Sequence, residues 1–332
     1  MRASSVRKSR YYKYAAIILL VVFFVSFSLI AMDLYEKKHG NFSEETTADR
    51  FIEHNGVKYE LKDGIETFIV IGLDKTSDYD GASDSYNNDK QADFIMLFVI
   101  DDKAKTITPI HINRDTIAEM NVLGLNGNPV GTVKKQIALS FNYGNGEKLS
   151  CHNTMDSVSN LLLGMKIHHY AAVTMDGVSV YNDLVGGVTV EVLDDFTGID
   201  KTLVKGETVT LSGRQALTYV RSREGLEDNT NTARMVRQRQ YLTALRDKTV
   251  EKIEGDAEFA AKLVVKMSEH LISDRSINQM QELLNKFSSY TFNETLQLEG
   301  ESKVGEQYME FYPDEDSIKD AVTRAFYQKS EQ

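Results

Sequence analysis

The chain has 332 residues, 42% of them hydrophobic and 26% charged, which is enough for one large or two small domains with a buried core. Its 49 acidic residues exceed its 38 basic ones, and five basic residues precede the first acidic one, so the chain from residue 33 onward carries a net charge of −16. That charge argues against nucleic acid as a partner, because basic side chains supply most non-specific affinity for phosphates. The single cysteine, Cys151, excludes an internal disulfide and is expected to be a small buried apolar residue.

Residues 15–32 form an uncharged apolar run of 18 residues, at the short end of the roughly 17–25 needed for a membrane-spanning helix. The preceding residues 1–14 are basic, so the positive-inside rule predicts a cytoplasmic N-terminus and an extracellular C-terminal part. A cleaved signal peptide is the alternative, but its apolar core is usually about 7–15 residues long and no A-x-A cleavage site follows here. The sequence therefore predicts a single-pass protein of the cell membrane.

The remaining chain alternates between strand and helix patterns. Residues 33–65 are polar and read as a stalk or a short leading hairpin. Strand patterns are found at 66–74, 93–101, 105–112, 169–175 and 188–192, and helix patterns at 133–141, 151–163, the segment ending at Gly186, 213–220, 232–250, 257–272, 275–288 and 315–327. This alternation predicts an α/β fold with a mixed central sheet flanked by helices. We expect a domain over 66–250 and a C-terminal helical extension over 251–332 that packs on it.

The most distinctive segment, residues 219–240, contains five arginines and no lysine. Arginine binds flat oxyanions through paired N–H donors, so this segment predicts a phosphate or pyrophosphate site. Arg221 and Arg223 share one face if the segment is extended. Arg234, Arg237 and Gln238 share one helical face, whereas Arg239 is predicted to point to solvent. Two alternatives remain: a solvated charged loop, or a structural network in which Glu227 or Asp228 pairs with the arginines.

Carboxylates mark the ends of two predicted neighbouring strands. Asp74 closes the first strand and Asp93 opens the second, which suits a hard cation such as Mg²⁺ bound to a phosphate. Arg114 and Asp115 follow the third strand, where a simple salt bridge is the alternative interpretation. The histidines lack metal-ligand spacing, and no P-loop or G-x-S-x-G motif occurs.

Six segments occur in an order that resembles one family of bacterial envelope enzymes. They are F-I-V-I-G-L-D, Q-A-D-F-I-M-L-F-V-I-D, I-N-R-D-T, D-L-V-G-G-V-T-V-E-V, L-S-G-R-Q-A-L-T-Y-V-R-S-R and A-R-M-V-R-Q-R-Q, spread over residues 66–248. Together with the apolar N-terminal segment, they resemble the LytR–CpsA–Psr family of cell-envelope phosphotransferases. The resemblance implies transfer of a glycopolymer from an undecaprenyl-pyrophosphate carrier to peptidoglycan, with pyrophosphatase activity as a side reaction.

The resemblance also implies roles for individual residues. Asp74 and Asp93 would hold Mg²⁺, or Mn²⁺ in its place, with Asp93 also a catalytic position. The arginines Arg114, Arg221 and Arg223 would be catalytic and bind the pyrophosphate, supported by Gln91, Arg234 and Gln238. The family usually has arginine at the position of Gln91, which can donate hydrogen bonds to phosphate but carries no charge. It commonly has proline at the position of Asn113.

Three functions stay open at this point. The first is the phosphotransferase, whose general base the sequence does not assign. The second is a catalytically weak scaffold or lipid-phosphate-binding protein of envelope assembly, which the neutral Gln91 favours. The third is a transcriptional attenuator, which the predicted topology and the charge of −16 oppose.

Overall fold

The computed structural model describes residues 48–75, 90–124, 126–306 and 308–330. The predicted membrane segment, 15–32, lies outside these ranges. Within them, no helix combines the length and apolar character needed to cross a bilayer.

The described residues form short strands and helices that alternate along the chain. The strands are β1 (Phe51–His54), β2 (Val57–Leu61), β3 (Ile65–Leu73), β4 (Ala92–Asp101), β5 (Thr106–Ile112), β6 (Ile117–Leu123), β7 (Pro129–Gln136), β8 (His169–Val173), β9 (Val188–Glu191), β10 (Thr208–Leu211), β11 (Leu271–Ser273), β12 (Thr291–Phe292), β13 (Leu296–Gln297), β14 (Gly300–Val304), β15 (Met309–Pro313) and β16 (Tyr327–Lys329). The α-helices are α1 (Lys148–Leu161), α2 (Met175–Leu184), α3 (Gly213–Arg221), α4 (Asn231–Gly255), α5 (Phe259–Met267), α6 (Ile277–Ser289) and α7 (Glu315–Phe326).

A seven-stranded mixed sheet forms the centre of the fold, with the order β11-β8-β3-β4-β5-β12 and β13 also paired to β5. The pairs β3–β4 and β4–β5 are antiparallel, whereas β8 runs parallel to β3 and both β12 and β13 run parallel to β5. The prediction of a mixed central sheet flanked by helices is therefore confirmed. Because β3 and β5 both run antiparallel to β4, the ends of β3 and β5 meet the start of β4 at one edge of the sheet.

The two faces of this sheet pack against different helices, because side chains alternate along each strand. On the first face, Ile69 and Ile110 share a core with Cys151 of α1 and Val322 of α7. Cys151 is fully buried, as predicted. On the second face, Phe68 and Ile107 pack with the apolar side chains of α6. A further core joins α2, α3, α4 and α5 with the β9–β10 hairpin.

The structure differs from the sequence predictions at several short elements. Residues 133–136 belong to β7 rather than to a helix, and only 137–141 are helical, as a 3-10 turn. The helix predicted over 257–272 ends earlier, and Leu271–Ser273 forms edge strand β11 on β8. Residues 51–61 form the β1–β2 hairpin, the second of the two interpretations given for 33–65, and it pairs with the C-terminal strand β16. The predicted helical extension, 251–332, also contributes β11, β12 and β13 to the central sheet. Tertiary pairing overrides the local pattern at β7 and at these three strands.

Candidate functional site

Charged side chains collect at the sheet edge where β3 and β5 end and β4 begins. The backbone N–H of Asp74 donates to the carbonyl of Gln91 over 3.1 Å, which holds the two strand ends together. Asp93 follows at the start of β4, and Arg114 lies two residues beyond β5. The antiparallel pairing therefore brings the predicted residues of three strands into one place, as we expected from the sequence.

Asp93 lies between two arginines. Its Oδ1 accepts a hydrogen bond from Nη1 of Arg114, and its Oδ2 lies 3.2 Å from Nη1 of Arg234. The side chain of Arg234 is only 3% exposed. Burial lowers the pKa of Arg234 to about 10, against the opposing effect of Asp93, so its guanidinium remains charged at neutral pH. A second bond, 2.6 Å long, runs from Nη2 of Arg114 to Oε1 of Gln91.

Asp74 and Arg221 form the more open side of the cluster. Nη2 of Arg221 lies 3.6 Å from Oδ1 of Asp74, and both side chains are substantially exposed. Burial raises the pKa of Asp74, and the Asp93 carboxylate raises it further, whereas Arg221 and Arg114 lower it. The carboxylate of Asp93 therefore acts electrostatically on that of Asp74.

Arg223 completes the group of arginines. Its charge lowers the pKa values of both Asp115 and Arg234, so it lies on the same side of the molecule. Within the described residues its half-buried side chain makes no ion pair or hydrogen bond. Arg223 is therefore the arginine of this cluster whose donors are most available to an anion.

Two asparagines connect α4 to the end of β5. Oδ1 of Asn231 accepts from Nε and Nη2 of Arg234, over 3.1 and 2.7 Å. Nδ2 of Asn231 donates to Oδ1 of Asn113 over 2.7 Å, and that same oxygen accepts the backbone N–H of Asp115. All four side chains are at least nine-tenths buried. The amide pair thus fixes the position of Arg234 relative to the loop that carries Arg114.

Arg237 and Gln238 have a different environment from Arg234. Arg237 is fully buried, donates to the carbonyls of Tyr219 and Ser222, and places its Nε 3.1 Å from Oδ2 of Asp194. Nε2 of Gln238 donates to the carbonyl of Val220 over 3.1 Å. These side chains therefore satisfy the free carbonyls at the C-terminal end of α3, next to Arg221 and Arg223. Contact between Gln238 and a phosphate stays a prediction.

Glu227 and Asp228, the acidic partners predicted for the arginines, do not pair with them in the structure. Glu227 pairs with Lys205, and Asp228 accepts the backbone N–H of Thr230. Asp194, which lies shortly after β9, is the carboxylate that pairs with Arg237. The alternative of a purely structural ion pair therefore applies to Arg237, one of the five arginines of residues 219–240.

The prediction that Arg239 points to solvent is wrong. Its side chain is half-buried, and Nη1 is shielded from solvent without a hydrogen-bond partner among the described residues. Arg239 lies near His111, whose side chain is 1% exposed. Burial lowers the pKa of His111 to about 3, assisted by the charges of Arg239 and Arg234, so this imidazole is neutral and is excluded as a proton carrier at neutral pH.

Seven of the eight predicted site residues meet at this edge, and Gln238 supports the adjacent helix end. Sequence reasoning missed Asn231 and Asp194, which are short polar residues without a motif, and treated Asn113 only as a departure from the family. Within the described residues, no group of three or more histidine, cysteine or acidic side chains is arranged to hold a metal ion. Asp74 and Asp93 thus form a two-carboxylate arrangement.

Comparisons with known proteins agree with this architecture. The chain is 26% identical over 258 residues to the polyisoprenyl-teichoic acid–peptidoglycan teichoic acid transferase TagU of Halalkalibacterium halodurans, covering 75% of each chain. Its fold is similar to that of Bacillus subtilis TagV (TM-score 0.59, 24% identity, 80% of this chain and 97% of that one). It is also similar to the structure of TagT bound to LI-WTA (TM-score 0.61, 18% identity, 86% of this chain and 96% of that one). The LytR_cpsA_psr family profile matches residues 28–326, and the chain therefore belongs to the LytR–CpsA–Psr family.

Proposed function

We propose that this protein is a phosphotransferase that moves a glycopolymer from a polyprenyl-pyrophosphate carrier to peptidoglycan. The observation that carries the proposal is the cluster of Arg114, Arg221, Arg223 and Arg234 around Asp74 and Asp93 at one sheet edge. Four guanidinium groups beside two carboxylates suit a doubly phosphorylated ligand with a bound cation. The similarity to a transferase whose name gives teichoic acid as cargo and peptidoglycan as acceptor supports the same class of reaction here.

The chemistry follows from the charges at the sheet edge. An acceptor hydroxyl forms a bond to the phosphorus that carries the glycopolymer, the bridging P–O bond breaks, and polyprenyl phosphate leaves with the electron pair while the hydroxyl proton is released to solvent. Arg221 and Arg223 bind the phosphate oxygens on which negative charge builds. Both carboxylate oxygens of Asp93 are held by Arg114 and Arg234, so Asp93 orients these arginines rather than acting as a free base. Water in place of the sugar hydroxyl gives the pyrophosphatase side reaction.

We propose Mg²⁺, or Mn²⁺, as the cation. Asp74 and Asp93 fit it, because Mg²⁺ commonly uses one or two carboxylates together with substrate phosphates and waters. When bound, the ion neutralises part of the pyrophosphate charge. Asp74 is the more available ligand, since its partner Arg221 is 3.6 Å away and exposed.

The donor class also gives a reason for a membrane anchor. We propose that residues 15–32 span the membrane, that 1–14 are cytoplasmic, and that the chain from residue 33 onward lies outside the cell. An anchored enzyme meets a lipid-linked donor within the plane of the membrane. A fusion of a periplasm- or exterior-active reporter to the C-terminus tests this topology, and activity of a cytoplasmic reporter at that position would refute it.

The test of the function uses the full chain in detergent with a polyprenyl-pyrophosphate-linked oligosaccharide and peptidoglycan fragments, with Mg²⁺ or with a chelator. We expect release of polyprenyl phosphate and transfer of label, both lost with Arg221→Gln, Arg223→Gln and the chelator. Arg214→Gln is the matched control, because Arg214 is exposed on the first turn of the same helix, α3. Absence of donor consumption by the unaltered protein would refute the transferase.

A scaffold that binds the lipid donor without turnover is the second candidate, motivated by the neutral Gln91. It predicts donor binding that requires Arg221 and Arg223 but no release of polyprenyl phosphate. Equilibrium binding of the donor, measured beside turnover on the same preparation, separates the two functions.

A further inference from the structure

Transfer to a hydroxyl requires a group that removes the hydroxyl proton. Asp93 does not suit this task, because both of its oxygens are held by arginines. Asp74 is the proposed ligand of the cation, and the buried imidazole of His111 is neutral. A third carboxylate lies at the same sheet edge, that of Asp115, which immediately follows Arg114.

Asp115 is held in place through every polar group except one carboxylate oxygen. Its backbone N–H donates to Oδ1 of Asn113 over 2.9 Å, and its carbonyl accepts the N–H of Phe311 over 2.9 Å. Its Oδ1 accepts from Nε2 of Gln136 over 3.1 Å. The same nitrogen of Gln136 also donates to the carbonyl of Met309 over 2.7 Å, which fixes the amide. The Asp115 side chain therefore has a fixed orientation, with Oδ2 as its remaining acceptor.

Oδ2 of Asp115 accepts no hydrogen bond from the part of the chain that the structure describes. The side chain is 10% exposed, and Oδ2 is not sealed from solvent, whereas the neighbouring Nε of Arg114 is. A salt bridge does not occupy Oδ2 either, since Nε of Arg114 lies 3.6 Å from Oδ1, the other oxygen. Arg114 donates its hydrogen bonds to Asp93 and Gln91 instead. A hydroxyl group can therefore donate to Oδ2 without displacing a protein partner.

Asp115 lies beside the arginines that are proposed to bind the phosphates. Burial raises the pKa of its carboxyl, and the charges of Arg114, Arg223 and Arg234 lower it. The effect of Arg223 is informative, because the donors of that arginine have no partner among the described residues. A hydroxyl that donates to Asp115 is thus placed in the same cluster as a phosphate bound to Arg223. Burial also makes the carboxylate a better proton acceptor, because a raised pKa strengthens a base.

We propose that Asp115 is the general base and that its Oδ2 accepts the proton of the acceptor hydroxyl. As the hydroxyl oxygen forms its bond to phosphorus, the O–H bond breaks and leaves its electron pair on that oxygen. The bridging P–O bond breaks, and polyprenyl phosphate departs with the electron pair of that bond. The proton passes to Oδ2 and then to solvent, which restores the carboxylate. An aspartate accepts the substrate hydroxyl proton in the same way in protein kinases. This inference rests on the proposed transferase function and adds the residue that activates the acceptor.

The test uses the full chain in detergent with Mg²⁺, the polyprenyl-pyrophosphate donor and peptidoglycan fragments. Asp115→Asn keeps the shape of the side chain and the oxygen that accepts from Gln136, and removes the proton acceptor. We expect kcat for transfer to fall about 10²- to 10⁴-fold, the usual contribution of general base catalysis. The Kd for the donor should stay within about twofold, and the urea midpoint should not change. Glu224→Gln is the matched control, because Glu224 is an exposed carboxylate next to Arg223, and it should leave kcat unchanged.

A second variant separates a base from a structural residue. Asp115→Ala leaves a gap that a small carboxylate can enter, so added formate should raise its kcat about tenfold or more. Formate should not activate Asp115→Asn, whose amide fills the same space.

The outcomes distinguish this inference from the proposed function. A kcat of Asp115→Asn within about threefold of the unaltered protein would overturn the base and leave the transferase intact. Weakened donor binding in both variants, with no effect of formate on Asp115→Ala, would make Asp115 a structural residue and also overturn the proposal. An unaltered protein that consumes no donor would overturn the transferase and the base together.

Discussion

Asn231 should control both stability and the position of Arg234. Its side chain makes three hydrogen bonds, two from the Arg234 guanidinium and one to Asn113, and it is 8% exposed. Bonds to a charged group contribute about 1.5–3 kcal/mol each and a neutral bond about 1 kcal/mol. Because Arg234 keeps Asp93 and water can enter the space left by the amide, we expect Asn231→Ala to cost about 3 kcal/mol of unfolding free energy.

The companion variants identify which bonds matter. Asn231→Asp keeps the oxygen that accepts both bonds from Arg234 but places a second carboxylate oxygen against Oδ1 of Asn113, so it should cost about 1–2 kcal/mol, less than Asn231→Ala. Asn113→Ala removes the acceptor for Asn231 and for the N–H of Asp115 and should cost about 2 kcal/mol. Unfolding in urea, followed by circular dichroism with the m-value held as a check, gives these differences.

Kinetics provide the second measurement for Asn231. A loosened Arg234 should lower kcat for donor consumption about tenfold in Asn231→Ala, and Asn231→Asp should recover most of it. Acceptor KM should not change. An unfolding free energy of Asn231→Ala within 0.5 kcal/mol of the unaltered protein would refute the argument that these buried bonds hold Arg234.

Three further changes test other parts of the structure. Arg237→Met leaves Asp194 buried without its partner and should cost about 3–5 kcal/mol in urea unfolding, whereas added Asp194→Asn should recover part of that loss. Burial raises the pKa of Asp156 to about 7, so the unaltered protein loses stability as pH rises from about 4 through 7. Asp156→Asn should therefore stabilise the protein by about 1–3 kcal/mol above pH 7 and have little effect at pH 4. An equal effect at both pH values would contradict this. Gln91→Arg removes the oxygen that accepts a hydrogen bond from Arg114 but adds a positive charge for the phosphate. The KM for the lipid donor should fall several-fold, and the protein without ligand should become about 1 kcal/mol less stable. A higher KM for the lipid donor would show that Gln91 acts only as a hydrogen-bond acceptor for Arg114.

The sequence predicts the central strands of the fold well and the short, exposed strands poorly. β3, β4 and β5 are long apolar runs that are buried on both faces, and such runs have a strong pattern. β7 has the exposed pattern of an edge strand, with Lys134 and Lys135, and no apolar alternation identifies it. It forms a strand because it pairs with β6, and the local sequence of β7 does not indicate that pairing.

The same distinction applies to the site. Asp74, Asp93 and Arg114 could be grouped from the sequence because they lie at the ends of recognisable strands. Asn113 and Asn231 are 118 positions apart, and their contact depends on the placement of the first turn of α4 beside the end of β5. A neutral amide has no charge pattern that reveals its partner, so only the structure connects them. Asp194 was missed for a related reason, since nearer acidic residues offered simpler partners for Arg237.

The five arginines of residues 219–240 divide according to how fully the protein itself satisfies them. Arg237 is fully buried beside a carboxylate and donates to two carbonyls, so a ligand cannot reach it. Arg234 is partly satisfied by the protein, because it donates hydrogen bonds to Asp93 and Asn231 at the edge of the cluster. Arg221 has only a weak, exposed partner, and Arg223 has none among the described residues. A ligand phosphate gains most from guanidinium groups that need not first give up a protein partner, and therefore Arg221→Gln and Arg223→Gln should reduce donor binding while barely changing stability, the reverse of the effect expected at Arg237.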